Sequence, residues 1–164
     1  YTSGSTAAPR GVRVTHGNCI HQLVATTHRY EGTGKYQQSI MSWLPFYHDM
    51  GFTFGVLAPL AVKRVAVVSP FTFAKSPMLV LELVATARLT TVLMTNQGLE
   101  DTVNAIERER TPPQEYDLTC VRSLVIGSDF VLFPTLRRFL DIFVGSGLNP
   151  ACVGSSWGMA EATC

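Results

Sequence analysis

An α/β fold, with a mostly parallel sheet flanked by helices, is predicted by three features of these 164 residues. Strand-like and helix-like segments alternate along the chain. The strand-like ones are short and strongly apolar, as in sheets covered on both faces. Turns rich in glycine and hydroxyl residues follow two of the predicted strands, where such sheets place ligands.

Thr15 is a candidate N-cap, and Cys19, Ile20, Leu23, Val24, Thr27 and Tyr30 then recur at helical spacing until Glu31-Gly-Thr-Gly34 breaks the run. Ile40 to Leu44 reads as a strand entering a loop at Pro45, and Phe52 to Leu60 as helix-like. Arg64 to Ser69 is a valine-rich strand. Ser76-Pro77 predicts a cap followed by proline at the first helical position, with Leu79, Val80, Leu83, Val84 and Ala87 forming one apolar face. Thr90 to Met94 is a strand, Leu99 to Arg110 an amphipathic helix stopped by Pro112-Pro113, and Val121 to Ile126 a strand ending at Gly127. Pro134 to Val144 is a helix closed by Gly145 and Gly147, and Ala151 to Gly154 is the last strand.

Composition excludes several classes. A net charge of +1 provides no field for nucleic acid or an anionic membrane. The longest apolar run, Met78 to Ala87, is interrupted by Glu82 and too short to span a bilayer, and the first residues are not a signal peptide. Cys19, Cys120, Cys152 and Cys164 are widely spaced without a C-x-x-C, which argues for free thiols and a cytoplasmic setting. The charged fraction is 15%, against a typical value of about 25%, as for the interior of a larger domain. The chain also begins inside one motif and ends inside another. The expectation is that residues 1–164 are part of a larger domain, cut at both ends.

Three stretches carry candidate chemistry. In Thr2-Ser-Gly-Ser-Thr6, successive backbone N–H groups can form an anion-binding nest, and the hydroxyls of Thr2, Ser3, Ser5 and Thr6 can donate to phosphate. Gly4 frees the backbone and Arg10 adds a planar cation suited to phosphate. Such a run in isolation is more often a polar hairpin or surface loop. It is not a Walker A loop, because no Lys-Ser or Lys-Thr closes it. Leu44-Pro-Phe-Tyr-His-Asp-Met-Gly51 sets His48 before a helix-like run, with Asp49 placed to cap it. In Trp157-Gly-Met-Ala-Glu-Ala-Thr163, the indole can stack on adenine and Gly158 permits close backbone approach. Glu161 is a hard oxygen ligand for magnesium, and Thr163 can donate to a phosphate oxygen. Alone, Glu161 also reads as an ordinary exposed glutamate.

In this order, the three stretches resemble the motif series of adenylate-forming (AMP-binding) enzymes, closest to the fatty-acyl-AMP ligases, for which His-Asp-Met-Gly is typical. The family usually has Gly at the Ala7 position, often Lys at Arg10, and Tyr at Trp157. Gly127-Ser128-Asp129-Phe130 resembles a Gly-Ala-Glu-Pro turn that walls the adenine pocket, and Thr95-Asn96-Gln-Gly98 resembles a Pro-Asn-Phe-Ala stretch on the acyl side. The resemblance implies activation of a fatty acid by ATP to an acyl-adenylate with release of pyrophosphate. Acyl transfer to the thiol of an acyl carrier protein or polyketide synthase carrier domain would follow. It places Thr2, Ser3, Gly4, Ser5, Thr6 and Arg10 on the phosphates, and Gly127, Ser128, Trp157, Gly158, Met159 and Thr163 around the nucleotide. Glu161 would hold Mg2+ and His48 would lie beside the reacting carboxylate, with Phe52, Phe54 and Leu99 as candidates for an acyl tunnel. The family's ribose-binding aspartate, hinge and C-terminal lysine lie outside these residues, so the chain alone is expected to be inactive or a poor catalyst. Rival readings are an acyl-CoA synthetase, with CoA as acceptor, an amino-acid adenylation domain, and a non-catalytic scaffold module of the kind found in disco-interacting proteins.

Overall fold

The computed structural model describes residues 1–2, 8–30, 38–62 and 64–164, the side chains of 27–30 excepted. Five parallel strands form one sheet: β1 (Ser39–Ser42), β2 (Arg64–Val67), β3 (Thr91–Met94), β4 (Ser123–Ile126) and β5 (Val153–Ser155), in the order β2-β1-β3-β4-β5. Each is only three or four residues long and lies close to its expected position. The register is continuous across the sheet, with Ile40 opposite both Val65 and Thr91, and Val92 opposite Leu124, which in turn faces Val153. The strand order reverses between β1 and β3, and a crevice at such a reversal is where open α/β sheets bind ligands.

Side-chain alternation along each strand splits the core in two. Met41, Val92, Met94, Leu124 and Ile126 point to the larger cluster, built with α4 (Met78–Ala87), α5 (Asn96–Glu109) and α6 (Phe133–Phe143). Ile40, Leu93 and Val125 point to the opposite face, against Met50, Phe54 and Ala58. Phe73, Phe139 and Phe143 are almost fully buried, each stabilising the fold by about 1.5–3 kcal/mol relative to exposure. Trp43 joins strand to helix layer: it stacks on Phe73 with ring centroids 3.9 Å apart, and its indole N–H donates to the Leu93 carbonyl at 3.1 Å.

Local signals account for most helix ends. Thr15 and Asn18 form a reciprocal cap at the start of α1 (His16–Tyr30): Thr15 N–H donates to Asn18 Oδ1 at 2.9 Å and Asn18 N–H to Thr15 Oγ at 3.2 Å. Thr95 caps α5, accepting from Gly98 N–H at 2.9 Å. Gly147 takes a left-handed conformation (φ 83°) just after α6.

Two expectations need correction. Ser76 is not the cap of α4: Pro77 occupies that position and the helix starts at Met78. A short helix precedes it, α3 (Pro70–Lys75), capped by Ser69, whose hydroxyl accepts from Thr72 N–H at 3.0 Å. The Ser-Pro signature therefore operates one helix earlier, at Ser69-Pro70. The run after His48 is helical but irregular: a short α2 (Asp49–Phe52), a π-helical turn at Thr53–Leu57 and a 3-10 turn at Ala58–Leu60.

Candidate active site

Every candidate segment beyond the hydroxyl loop follows the carboxyl end of a strand. β1 leads to His48, β3 to Asn96, β4 to Gly127 and β5 to Trp157 and Glu161. The first two flank the point where the strand order reverses.

His48, not Asp49, is the N-cap residue of α2, with extended backbone (φ −96°, ψ 142°). Asp49 is the first helical residue, and its carboxylate accepts Met50 N–H at 2.6 Å. His48 Nδ1 lies 2.8 Å from Asp49 Oδ1 and 3.3 Å from Met50 N. Nδ1 accepts the Met50 N–H as the side-chain cap of α2, with the Asp49 carboxylate close beside it. The cap bond positions the imidazole, whose side chain remains 47% exposed. Gly51 is required beneath it: a Cβ there would lie 2.0 Å from the Pro45 carbonyl oxygen.

The end of β4 is held from three sides. Gly127 N–H donates to Met94 O at 3.1 Å, and Ser156 N–H donates to Ile126 O at 2.8 Å. Asn96 clamps the turn, donating from Nδ2 to Phe130 O at 2.6 Å and accepting Leu132 N–H on Oδ1 at 2.9 Å. Ser128 takes a left-handed conformation (φ 81°). Gly127 itself approaches Met50 of α2 and the Ser156 carbonyl.

After β5 the chain makes a compact turn. Gly158 packs so closely on Cys164 that a Cβ would sit 2.7 Å from its carbonyl carbon. Trp157 is 82% exposed, Met159 and Glu161 are also exposed, and Ala160–Ala162 forms a 3-10 turn. This segment meets the His48 segment directly, since the buried Thr53 hydroxyl donates to Thr163 O at 3.4 Å. Burial pushes the Cys164 thiol up to about 11, and the nearby charge of Asp49 adds to that shift.

The structure thus draws together His48, Asp49, Thr53, Gly127, Ser156 and Thr163. Thr2 and Arg10 meet each other: Thr2 N–H donates to Arg10 O at 2.9 Å, and Arg10 N–H to the Thr2 hydroxyl at 3.0 Å. These two bonds close the mouth of the hydroxyl loop. Ser3, Gly4, Ser5 and Thr6 lie outside the described residues.

An open cavity of about 330 Å³ adjoins Trp157, lined by Phe54, Ser155, Ser156 and Trp157, with Gln22 and Thr26 of α1. Phe54 lines this cavity and is also buried in the smaller core cluster. Leu99 does not line it; it is fully buried in the larger core cluster, on the other face of the sheet. Phe52 is 40% exposed. The α1 residues were missed because polar positions on an amphipathic helix read as a solvent face. Thr53 was missed because a single threonine inside an apolar run carries no positional signal.

No group of three His, Cys, Asp or Glu side chains able to hold a metal occurs among the described residues. Mg2+ asks for no such group, since it keeps several waters and takes one or two carboxylates plus substrate phosphates. Glu161, exposed at the mouth of the turn, fits that demand.

The family profile of AMP-binding enzymes matches residues 1–164. The chain belongs to the AMP-binding enzyme family. Among characterised relatives, it is 38% identical to the long-chain-fatty-acid–AMP ligase FadD26 of Mycobacterium bovis, over 99% of this chain and 28% of the relative. It is equally 38% identical to the 4-hydroxyphenylalkanoate adenylyltransferase of Mycobacterium tuberculosis, covering 26% of that protein. Solved fatty acyl-adenylate ligases superimpose well. One, from a study of the E. coli and L. pneumophila enzymes, gives a TM-score of 0.88 at 31% identity, over 99% of this chain and 29% of that one. Another, from L. pneumophila in complex with acyl adenylate and pyrophosphate, gives 0.85 at 29% identity, over 98% and 28%. This AMP-binding chain spans little more than a quarter of the length of these proteins.

Proposed function

We propose that residues 1–164 are part of the large N-terminal domain of a longer ligase that activates a fatty acid with ATP. Attack of the carboxylate on the α-phosphorus forms an acyl-adenylate and releases pyrophosphate. The acyl group then passes to the thiol of a carrier protein or carrier domain. The observation that carries this reading is the Thr53–Thr163 contact, which joins the His-Asp segment to the Trp157–Thr163 segment beside an open cavity. The chain's similarity to a long-chain-fatty-acid–AMP ligase and to a 4-hydroxyphenylalkanoate adenylyltransferase supports it.

A carboxylate nucleophile is already ionised at neutral pH, so the protein supplies position and charge rather than a general base. His48, held at the start of α2 by the Met50 N–H bond to Nδ1, lies beside the reacting carboxylate. Trp157 offers a stacking face for adenine, with Gly127, Ser128, Gly158 and Met159 shaping the surrounding backbone. Thr2, Ser3, Gly4, Ser5, Thr6 and Arg10 bind the β- and γ-phosphates, and Thr163 donates to a phosphate oxygen. Glu161 holds Mg2+, which supplies charge neutralisation at the phosphates when bound. The described cysteines are all free, in keeping with a cytoplasmic protein, and no described helix is long and apolar enough to cross a membrane.

ATP–pyrophosphate exchange on the full-length protein with a panel of fatty acids tests this reading. Exchange should appear with at least one acid. Glu161→Gln should lower it by at least the roughly 10–100-fold that loss of a metal's outer-shell partner costs. No exchange with any acid would favour a non-catalytic role, and exchange untouched by Glu161→Gln would remove the metal assignment. Product analysis with CoA and with a carrier protein decides the acceptor.

A further inference from the structure

A threonine inside a helix either faces solvent or returns its hydroxyl to the carbonyl four residues back. Thr86 and Thr102 do the second, donating to Glu82 O and Gly98 O, each at 2.7 Å. Thr53 does neither: it is 1% exposed, and its hydroxyl donates to Thr163 O at 3.4 Å, 110 residues on. The bond is long for an O–H···O pair. At that burial, however, solvent cannot take over as acceptor, and a buried hydroxyl left without a partner is costly. The Cys164 thiol lies within hydrogen-bond reach of the same hydroxyl. Asp49 stands four residues before Thr53, on the same side of the helical run, and its charge acts on that thiol too. One edge of the run that begins after His48 therefore lies along Thr163 and Cys164.

The turn it meets is closed within itself. Ala162 N–H and Cys164 N–H both donate to Met159 O, at 2.9 and 3.1 Å, and Thr163 N–H donates to Ala160 O at 3.1 Å. Thr163 is left-handed (φ 69°), a conformation a threonine keeps only where its surroundings dictate it. The internal bonds set the shape of the turn but not its place. Thr53 grips it from outside, two residues beyond Glu161.

We infer that Thr53 is a positioning residue: its hydroxyl fixes the Glu161–Thr163 turn against the helical run that begins after His48, and so sets where Glu161 and Thr163 meet Mg2+ and phosphate. This rests on the adenylation reading above and adds a residue that acts through those two.

ATP binding to the full-length protein is measured by equilibrium dialysis with and without Mg2+, beside ATP–pyrophosphate exchange at saturating fatty acid. Thr53→Val is near-isosteric and lacks the hydroxyl, and Thr53→Ser keeps it. In Thr53→Val the gain in ATP affinity conferred by Mg2+ should fall about three- to tenfold, the worth of one neutral hydrogen bond. The Mg2+ concentration for half-maximal exchange should rise by a similar factor, with the KM for the acid unchanged. Thr53→Ser should restore both. A merely structural role would lower the thermal midpoint or the active fraction and leave these constants alone. Where Thr53→Val does not fold, Thr53→Ala against Thr53→Ser gives the same comparison, since the two differ by the hydroxyl alone. Unchanged constants in the hydroxyl-free variant, or a loss that Thr53→Ser shares, overturns the inference. If no acid supports exchange, the adenylation reading fails separately, and dialysis still reads Thr53. Mg2+-dependent binding lost without the hydroxyl and restored by serine then supports the inference. Equal binding in every variant, or none in the unmodified protein, overturns it.

Discussion

Replacing Gly51 by alanine isolates a single steric event. A Cβ on Gly51 would lie 2.0 Å from the Pro45 carbonyl oxygen, 2.7 Å from its carbon and 2.9 Å from the Leu44 carbonyl oxygen. All three are backbone atoms, so no rotamer change relieves the contact. A normal carbon–oxygen separation needs the loop and α2 to part by more than about 1 Å, in a well-packed region with Met50 4% exposed. Overpacking of this kind costs about 1–3 kcal/mol, and a backbone clash belongs at the upper end. Helix propensity works the other way, by up to about 1 kcal/mol for glycine to alanine. The net expectation is about 2 kcal/mol of destabilisation, a large share of the roughly 5–15 kcal/mol that holds a domain folded. Gly154→Ala is the matched control, since a Cβ there meets nothing within 4 Å and its backbone is that of an ordinary strand. Equilibrium urea unfolding of the full-length protein, followed by tryptophan fluorescence, compares the two. If Gly51→Ala unfolds within about 0.5 kcal/mol of Gly154→Ala, the close approach under His48 is refuted.

Asn96→Ala removes both hydrogen bonds that clamp the Gly127–Leu132 turn, and should raise the KM for ATP severalfold with a smaller change in kcat; an unchanged KM would count against the clamp. Asp117 has its carboxyl held below the ordinary value of 3.8, chiefly by the Thr119 hydroxyl and then the Thr119 backbone N–H, with Arg88 contributing. A depressed folded value stabilises the fold above the unfolded pKa and is lost as pH falls through the folded one. The thermal-midpoint gap between the unmodified protein and Asp117→Asn should therefore hold steady above about pH 5 and narrow below pH 4, whereas a gap that widens on acidification would refute the assignment.

The strands were legible because each is a short apolar run bounded by turn residues, and a strand buried on both faces needs no finer pattern. Helix starts were legible where the cap and its partner lie close in sequence, as at Thr15 with Asn18. The α3–α4 boundary was not, because Ser69-Pro70 and Ser76-Pro77 are the same local signal repeated, and only the first acts as a side-chain cap. The π-helical turn at Thr53–Leu57 was equally hidden. Its sequence is compatible with an α-helix, and the close approach of Gly55 to the Phe46 ring within it carries no local signal. In the candidate site, residue types revealed the chemistry but not the connections. His48 and Glu161 could be singled out from their motifs, but Thr53 reaching Thr163 across 110 residues could not.

The turn after β4 shows how a site tolerates drift in its own residues. Ser128 is left-handed (φ 81°), which costs a non-glycine residue about 1–3 kcal/mol unless its surroundings dictate the shape. Here they do. Met94 O at the end of β3 receives Gly127 N–H, Ile126 O receives Ser156 N–H from beyond β5, and Asn96 at the start of α5 grips Phe130 and Leu132. None of these partners depends on the side chains at 128 or 130, while the Asp129 carboxylate adds a bond of its own by accepting Phe130 N–H at 2.7 Å. The register of β3, β4 and β5 fixes the path of the backbone, and the backbone fixes where any ligand-facing atoms stand. Ser128 and Phe130 therefore change what the turn displays, while the sheet, the Asn96 clamp and the Asp129 carboxylate set its shape.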